Sequence, residues 1–338
     1  MAAPSSKTSR RYWRGPPTDH FDGERFFNPG GHGPRGIKDL LRWHLGGGKV
    51  PWPSALPSPF PPDRPPLRVD GGAIRVSFVG HATFLIQGGG LNIVTDPVWS
   101  DRASPLTFLG PKRRNPPGIA FDDLPRIDAV LLSHCHYDHM DLTTLRRLWD
   151  RDRPLIVTPL GNDTIIRGRH AAIDVLAADW GDTIPLGGTV RTSLLPAHHW
   201  SARRFGDRNH ALWCAFVIEG LGQSIYFGGD TGFADGRPFR HVVERHGSPD
   251  LALLPIGAYE PRWFMNPQHM NPDDAVMAFE LLRPKHALGY HWGTFRLTDE
   301  GAEQPRDDLA TALAARGIAA ERFLALHPGQ TWTYAAAG

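Results

Sequence analysis

Residues 134–139 read His134-Cys135-His136-Tyr137-Asp138-His139, directly after Ser133 and the apolar run Ala129, Val130, Leu131, Leu132. Side chains alternate across an extended segment, so His134 and His136 leave a strand end on one side while Cys135 points away. The turn that follows carries Asp138 and His139 to a second point. One short segment can therefore feed two neighbouring metal ions. Imidazole and carboxylate suit zinc and its first-row neighbours, and paired ions sharing an oxygen recur in hydrolytic sites. A lone histidine ordinarily bonds backbone, but three histidines and an aspartate in six positions point to a metal. Cys135 reads as a small apolar filler.

Polar clusters follow several further apolar runs, where a loop can aim side chains over a sheet edge. Val190 to Pro196 leads into Ala197-His198-His199-Trp200, and Ser224 to Gly228 into Gly229-Asp230-Thr231-Gly232. Leu251 to Pro255 leads into Ile256-Gly257-Ala258-Tyr259, and His286 to Tyr290 into His291-Trp292-Gly293. Alone, the Asp230 segment is a plain turn whose carboxylate bonds its own backbone. Beside the 134–139 motif it supplies the bridging carboxylate that a binuclear site needs.

The elements behind these loops are short. Ile74 to Val79, Thr83 to Gln87 and Leu91 to Thr95, separated by Gly80 and Gly88-Gly89-Gly90, predict an antiparallel meander. Further strands are expected at Asp128 to Ser133, Leu155 to Thr158 and Leu212 to Ile218, besides the four runs above. The clearest helix runs from Pro272 to about Leu282, with Asn271 as N-cap and Val276, Phe279 and Leu282 inward. A second follows Asp141, and a third covers about Arg306 to Arg316.

The chain has 338 residues, with 37 Lys plus Arg against 35 Asp plus Glu, so no charge excess argues for nucleic acid. Two cysteines, Cys135 and Cys214, are too few for a disulfide framework. Met1 to His20 lacks a signal-type apolar core and no apolar run approaches a membrane span, which predicts a cytoplasmic location. Residues 51–66 hold eight prolines and favour an extended segment. Trp13, Phe21, Phe26, Phe27, Leu40, Leu41, Trp43, Leu45, Trp52 and Phe60 are too apolar for a solvated tail, so residues 1–70 are expected as an N-terminal arm packed on a body of residues 71–338. Lys7, Arg10, Arg11 and Arg14 read as a solvated basic terminus, consistent with a weak contact at a membrane surface.

The 134–139 motif, Asp230 and His291, in that order, resemble the metallo-β-lactamase fold. Gly80-His81-Ala82-Thr83, Thr95-Asp96-Pro97, Arg102-Ala103-Ser104-Pro105, Gly110-Pro111-Lys112-Arg113, Pro196 to Trp200 and Pro255 to Met265 resemble, more narrowly, the N-acylphosphatidylethanolamine-hydrolysing phospholipase D family. Gln268-His269 and His291-Trp292-Gly293-Thr294-Phe295 continue the likeness over roughly residues 70 to 335; before them only Phe27-Asn28-Pro29 hints at it.

The resemblance implies a four-layer αββα sandwich with two zinc ions per chain. One is placed on His134, His136 and His199, the other on Asp138, His139 and His291, with Asp230 between them. His198 departs from the family pattern and competes with His199 for the ligand position. His81 and Asp96 are placed to orient ligand imidazoles. Asp138 and His269 take catalytic roles: Asp138 orients or deprotonates a water, and His269 lies by the substrate phosphate. Arg262, Tyr259, Trp263, Phe264 and Trp292 are candidates to line the substrate site. The implied activity is zinc-dependent hydrolysis of an N-acylphosphatidylethanolamine-like phospholipid to phosphatidic acid and N-acylethanolamine, by a homodimer with a membrane-facing groove. A lactone, a cyclic phosphodiester or another ester is the alternative substrate class, and a non-catalytic metal-binding protein is disfavoured because all seven ligand positions are filled.

Overall fold

Alternation along the strands decides which side chains face which layer. In the computed structural model, which describes residues 12–31, 33 and 35–335, the meander strands β1 (Ile74–Gly80), β2 (Thr83–Gly88) and β3 (Leu91–Thr95) pair antiparallel. Strands β4 (Ala129–Leu131), β5 (Leu155–Pro159) and β6 (Leu176–Ala178) then add in parallel to β3. The second sheet contains β7 (Thr183–Gly187), β8 (Val190–Leu195), β9 (Ala215–Glu219), β10 (Ile225–Phe227), β11 (Leu251–Pro255), β12 (His286–Tyr290) and β13 (Phe323–Ala325). Its order is β13-β12-β11-β10-β9-β8-β7, parallel through the first four and antiparallel through the rest. The chain finally returns to the first sheet, where β14 (Thr331–Tyr334) pairs antiparallel with β1.

The two sheets face each other across Val76, Phe78, Phe84, Ile86, Leu131, Phe216, Phe227, Leu253 and Tyr290, all buried. Neighbours in the same strands point the other way. Val130 and Leu132 meet Leu145 and Leu148 of α2 (Leu142–Asp152), while Ala252 and Leu254 meet α6 (Pro272–Leu282). Between them in sequence lie α3 (Asn162–Arg169), α4 (Arg237–His246) and α5 (Arg262–Met265); α7 (Gln304–Ala315) packs beside α6. The result is helix, sheet, sheet, helix, the four-layer sandwich. Each large apolar side chain held between the sheets is worth about 1.5–3 kcal/mol of burial.

Helix α6 begins as its sequence demands. Asn271 Oδ1 accepts from Asp274 N at 2.8 Å, Pro272 occupies the first turn, and Val276, Phe279 and Leu282 are buried. Asp141 caps α2 by accepting from Thr143 N at 3.0 Å. The strand expected over 212–218 starts only at Ala215, because Leu212 N donates to Leu160 O and Cys214 N to Ser133 O instead of to a neighbouring strand. Residues 212–214 thereby tie the second sheet to the loops of the first.

Ahead of β1, the chain makes many contacts with both sheets. Phe21 and Phe26 are buried in the core outside the second sheet. Trp43 of α1 (Ile37–Leu45) stacks on Phe264 at 5.0 Å, Asp63 pairs with Arg75 at 2.5 Å, and Ser58 Oγ donates to Pro328 O. Of the basic cluster, Lys7, Arg10 and Arg11 lie outside the described residues.

Candidate metal centre

The chain leaves β4 extended and closes at once into a turn, in which His139 N and Met140 N both donate to His136 O. The extended part brings His134 Nε2 to 2.9 Å from His136 Nδ1. The turn delivers Asp138 and His139 a short step away, with Asp138 Oδ2 3.5 Å from His139 Nε2. The remaining groups come from the ends of second-sheet strands, as expected for a crevice at strand C-termini. His199 follows β8, Asp230 follows β10 and His291 follows β12.

Two triads result. His199 Nε2 lies 3.2 Å from His136 Nδ1, completing a group with His134. His291 Nε2 lies 3.2 Å from His139 Nε2 and 3.5 Å from Asp138 Oδ2. Asp230 stands between them: its Oδ2 is 3.9 Å from His134, 3.8 Å from His199 and 3.2 Å from His139, and its Oδ1 is 3.2 Å from His291. His198 is directed elsewhere, its Nδ1 bonded to Pro267 O at 2.7 Å.

Whether a cation fits can be read from where the protons must be. His139 Nδ1 donates to Asp96 Oδ2 at 2.7 Å and His199 Nδ1 to Gln268 O at 3.0 Å. Ser133 Oγ spends its proton on Asp96, so it can only accept from His134 Nδ1, 2.9 Å away. In all three rings the neutral form then leaves a bare lone pair on Nε2, and these lone pairs point at one another and at Asp230. Asp96 and Asp230 are buried, and Asp138 is half-buried, without a Lys or Arg partner among the described residues. Converging lone pairs and buried carboxylates are costly unless a cation sits among them. The donor set fits a divalent-metal site.

Electrostatics agree with that assignment. Burial lowers His136 to about 3 and His199 to about 4, and drives His134 well below 6.5, so these imidazoles are neutral and free to ligate. Burial would lower His139 and His291 too. Asp230, Asp138 and, for His139, Asp96 outweigh it, raising His139 well above 6.5 and His291 to about 9. Burial alone would raise Asp138 and Asp230, yet His139 and His291 hold both carboxyls well below the usual range. Positive charge is what this pocket attracts.

The sequence profile of the family described as Beta-lactamase superfamily domain matches residues 91–292, a span containing every one of these donors. The chain belongs to the beta-lactamase superfamily. It is 39% identical over 266 residues to "N-acyl-phosphatidylethanolamine-hydrolyzing phospholipase D 1" of Caenorhabditis elegans, covering 76% of this chain and 74% of that one. A mitochondrial N-acyl-phosphatidylethanolamine-hydrolyzing phospholipase D of Saccharomyces cerevisiae is 37% identical over 238 residues, 69% of this chain and 50% of the yeast protein. Among solved structures, Igni18, a metallo hydrolase of Ignicoccus hospitalis, superposes with a TM-score of 0.57 at 21% identity, over 78% of this chain and 99% of its own. The protein is a metal-dependent hydrolase with the metallo-β-lactamase sandwich fold.

In this superfamily member the supporting residues are as ordered as the donors. His81 Nε2 donates to Asp138 Oδ2 at 2.9 Å, and its ring lies 4.1 Å from His291; burial lowers it to about 3. Asp96 serves both His139 and Ser133. His269 borders the donors, with Nδ1 3.9 Å from Asp230 Oδ2 and its ring 5.1 Å from His199.

The proposed substrate-lining residues are more dispersed. Arg262 donates to His269 O at 3.0 Å and pairs with Asp274 at 2.6 Å, so it reaches the site through the His269 backbone. Tyr259 is buried with its hydroxyl on Asp308, and Phe264 is buried against Trp43. Trp292 borders a cavity of about 410 Å³, with Leu56, Pro57 and His327, that no metal donor lines. Trp263 is partly exposed, with the Arg42 guanidinium over its ring.

Some supports carry no signature of residue type. Arg203 donates to Cys135 O at 2.7 Å and to Met140 O at 2.8 Å, fastening both ends of the 134–139 turn. Asn28 donates to His199 O at 2.8 Å. Both act on backbone carbonyls, which every residue possesses, so nothing in the sequence marks them beyond the Phe27-Asn28-Pro29 likeness.

Proposed function

We propose that the protein is a binuclear zinc phosphodiesterase of phospholipase D type, hydrolysing N-acylphosphatidylethanolamine-like phospholipids to phosphatidic acid and N-acylethanolamine. The observation that carries this is the pair of triads, His134/His136/His199 and Asp138/His139/His291, joined by Asp230. Likeness to two N-acyl-phosphatidylethanolamine-hydrolyzing enzymes supports the substrate. Zinc bound in both triads supplies Lewis acidity for a phosphodiester and makes water more acidic.

The chain's own groups then have defined tasks. Asp138, held by His81 on one carboxylate oxygen, orients the attacking water and takes its proton. Asp230 keeps the triads in register. Attack on phosphorus forms the new P–O bond as the P–O bond to the N-acylethanolamine oxygen breaks; that oxygen leaves with the bonding pair and takes up the proton that Asp138 removed from the water. Burial keeps His269 neutral, so its N–H donates a hydrogen bond to a phosphate oxygen as charge develops there. Arg262 positions His269 by holding its carbonyl.

The lipid would arrive over α1 and α5. Leu41 and Leu45 of α1 are 57% and 86% exposed, Trp263 of α5 lies under Arg42, and α5 leads through Gln268 to His269. Apolar side chains beside Lys38 and Arg42 suit peripheral contact with an anionic bilayer from its aqueous side. No described helix is long and apolar enough to cross a membrane.

The test is a panel of purified, zinc-loaded protein against N-acylated phosphatidylethanolamine, a simple phosphodiester and a lactone, each with and without chelator. Two zinc equivalents per chain and chelator-sensitive release of N-acylethanolamine are expected. Turnover of the lactone without the phospholipid would transfer the site to the alternative substrate class.

A further inference from the structure

The loop after β8 carries His199, and its position depends on a segment far away in sequence. Phe21 and Phe26 bridge to each other and are buried, and Phe26 N donates to Asn209 O at 2.8 Å. This anchor delivers Asn28 to the His199 loop. Asn28 Nδ2 donates to His199 O at 2.8 Å, while Trp213 Nε1 donates both to Asn28 Oδ1 at 3.1 Å and to Ala197 O at 2.9 Å. Asn28 and Trp213 thus grip the 197–199 backbone from two sides. Gly31, whose N–H returns to Asn28 O at 3.0 Å, runs against His198 so closely that a Cβ there would lie 2.1 Å from its Nε2. Arg237 fixes the next carbonyls, donating to Pro29 O and Gly30 O.

The His199 imidazole is held from behind by Nδ1, which donates to Gln268 O at 3.0 Å. With Gln268 O fixing the ring and Asn28 fixing the peptide, neither alone defines where Nε2 points. We infer that Asn28 is a positioning residue for the His134/His136/His199 metal position, so that residues 26–31, outside the catalytic sandwich, set metal affinity at that position and leave the other unaffected. Groups that orient a ligand from behind typically alter metal affinity about 10–100-fold when removed. Asn28 acts through a backbone carbonyl, so the low end, about tenfold, is expected. The inference rests on the two-zinc reading of the site.

The decisive comparison is zinc affinity at each position, measured by chelator competition on the full chain, for wild type, Asn28→Ala and Asn28→Asp. Asn28→Asp keeps the acceptor for Trp213 but sets a carboxylate oxygen against His199 O, so it separates the two bonds with little loss of packing. Both variants are expected to hold one zinc as wild type does and the other about tenfold more weakly, with a changed visible spectrum for cobalt(II) at the weakened position. Equal loss at both positions, or wild-type affinity at both, overturns the inference. A measurement without mutation guards against variants that fail to fold. Coupling is reciprocal, so stripping zinc from wild type should speed amide exchange at Phe26, Phe27 and Gly31, and unchanged exchange there overturns the inference as well. Wild-type protein that binds no zinc would instead remove the two-zinc reading itself.

Discussion

The metal-facing side of the molecule and its α1/α5 side are built on opposite principles. Around the metal donors nearly every group is buried and held from behind: His134 by Ser133, His139 by Asp96, His199 by Gln268, Asp138 by His81. On the α1/α5 side, Leu41 and Leu45 stand in solvent and Trp263 is partly exposed beneath Arg42, and α1 meets the body chiefly through Trp43 on Phe264 and on Asp299. Chemistry on a charged centre gains from donors that need no reorganisation. A surface that meets fluid acyl chains needs exposed apolar area and tolerates looseness. Damage to the first side should therefore stop turnover, and damage to the second should change only how substrate arrives.

The largest effect should come from Asp230→Ala. Asp230 is, among the described residues, the one carboxylate within 4 Å of donors in both triads, so its loss frees the two positions from each other. The kcat/KM is expected to fall about 10³-fold or more, on the order of 4 kcal/mol, with zinc content below two per chain. Retained activity in metal-analysed protein would break the comparison at its rigid end.

Arg262 sits at the border between the two sides. Arg262→Ala leaves Asp274, which burial holds above the usual carboxylate range, without its guanidinium and releases His269 O. Destabilisation of about 1–3 kcal/mol is expected from the unpaired carboxylate. A roughly tenfold fall in kcat at near-normal KM should follow if Arg262 acts through His269. A rise in KM with kcat unchanged would return Arg262 to direct phosphate contact.

How far this division is legible in the sequence depends on how each group is held. His134, His136, Asp138 and His139 are neighbours in the chain, so residue type and alternation place them without knowledge of the fold. His199, Asp230 and His291 are visible only as polar residues after apolar runs; what unites them is that β8, β10 and β12 are alternate strands of one sheet, which local pattern does not encode. The meander and α6 carry strong turn and capping signals and were readable. β6 and β13 have three residues each, and β7 contains Pro185, so neither length nor alternation announces them. The tasks of Arg203 and Asn28 lie in bonds to carbonyls, where sequence is silent. For Arg262, a candidate to line the substrate site, no local pattern reveals that Asp274 and His269 O lie within its reach.

On the α1/α5 side, Leu41→Ser with Leu45→Ser should leave hydrolysis of a water-soluble phosphodiester unchanged. Partition onto anionic phosphatidylcholine/phosphatidylglycerol vesicles should fall about 30-fold, equivalent to about 2 kcal/mol of apolar burial. Equal cosedimentation of both proteins would take α1 out of the proposed membrane face, while loss of soluble-substrate activity would show that α1 supports the rigid side as well.

The smallest effect concerns how the segment before β1 is pinned, and its sign follows from His20. The buried ring donates from Nε2 to Asp179 at 2.8 Å and from Nδ1 to Asp19 at 2.6 Å, which only the imidazolium can do at once, and it stacks on Trp180 at 4.5 Å. Burial works against the charge, but Asp179 and Asp19 outweigh it and raise His20 above 6.5. A group raised in the folded state contributes its full stabilisation below its unfolded pKa of about 6.5 and loses it as pH climbs through the folded value. The attachment of residues 18–27 should therefore loosen with rising pH above about 6.5. Screened as it is by solvent on the Asp19 side, the contribution is under about 1 kcal/mol. Amide exchange at Phe27, whose N–H donates to His20 O, reads it directly. Beyond the intrinsic base-catalysed increase, wild type should show added acceleration as pH rises above about 6.5, and His20→Gln should show none. The same pH profile in both proteins would mean that His20 stays neutral, and that shape alone, from Phe21, Phe26 and Trp180, holds this segment against the second sheet.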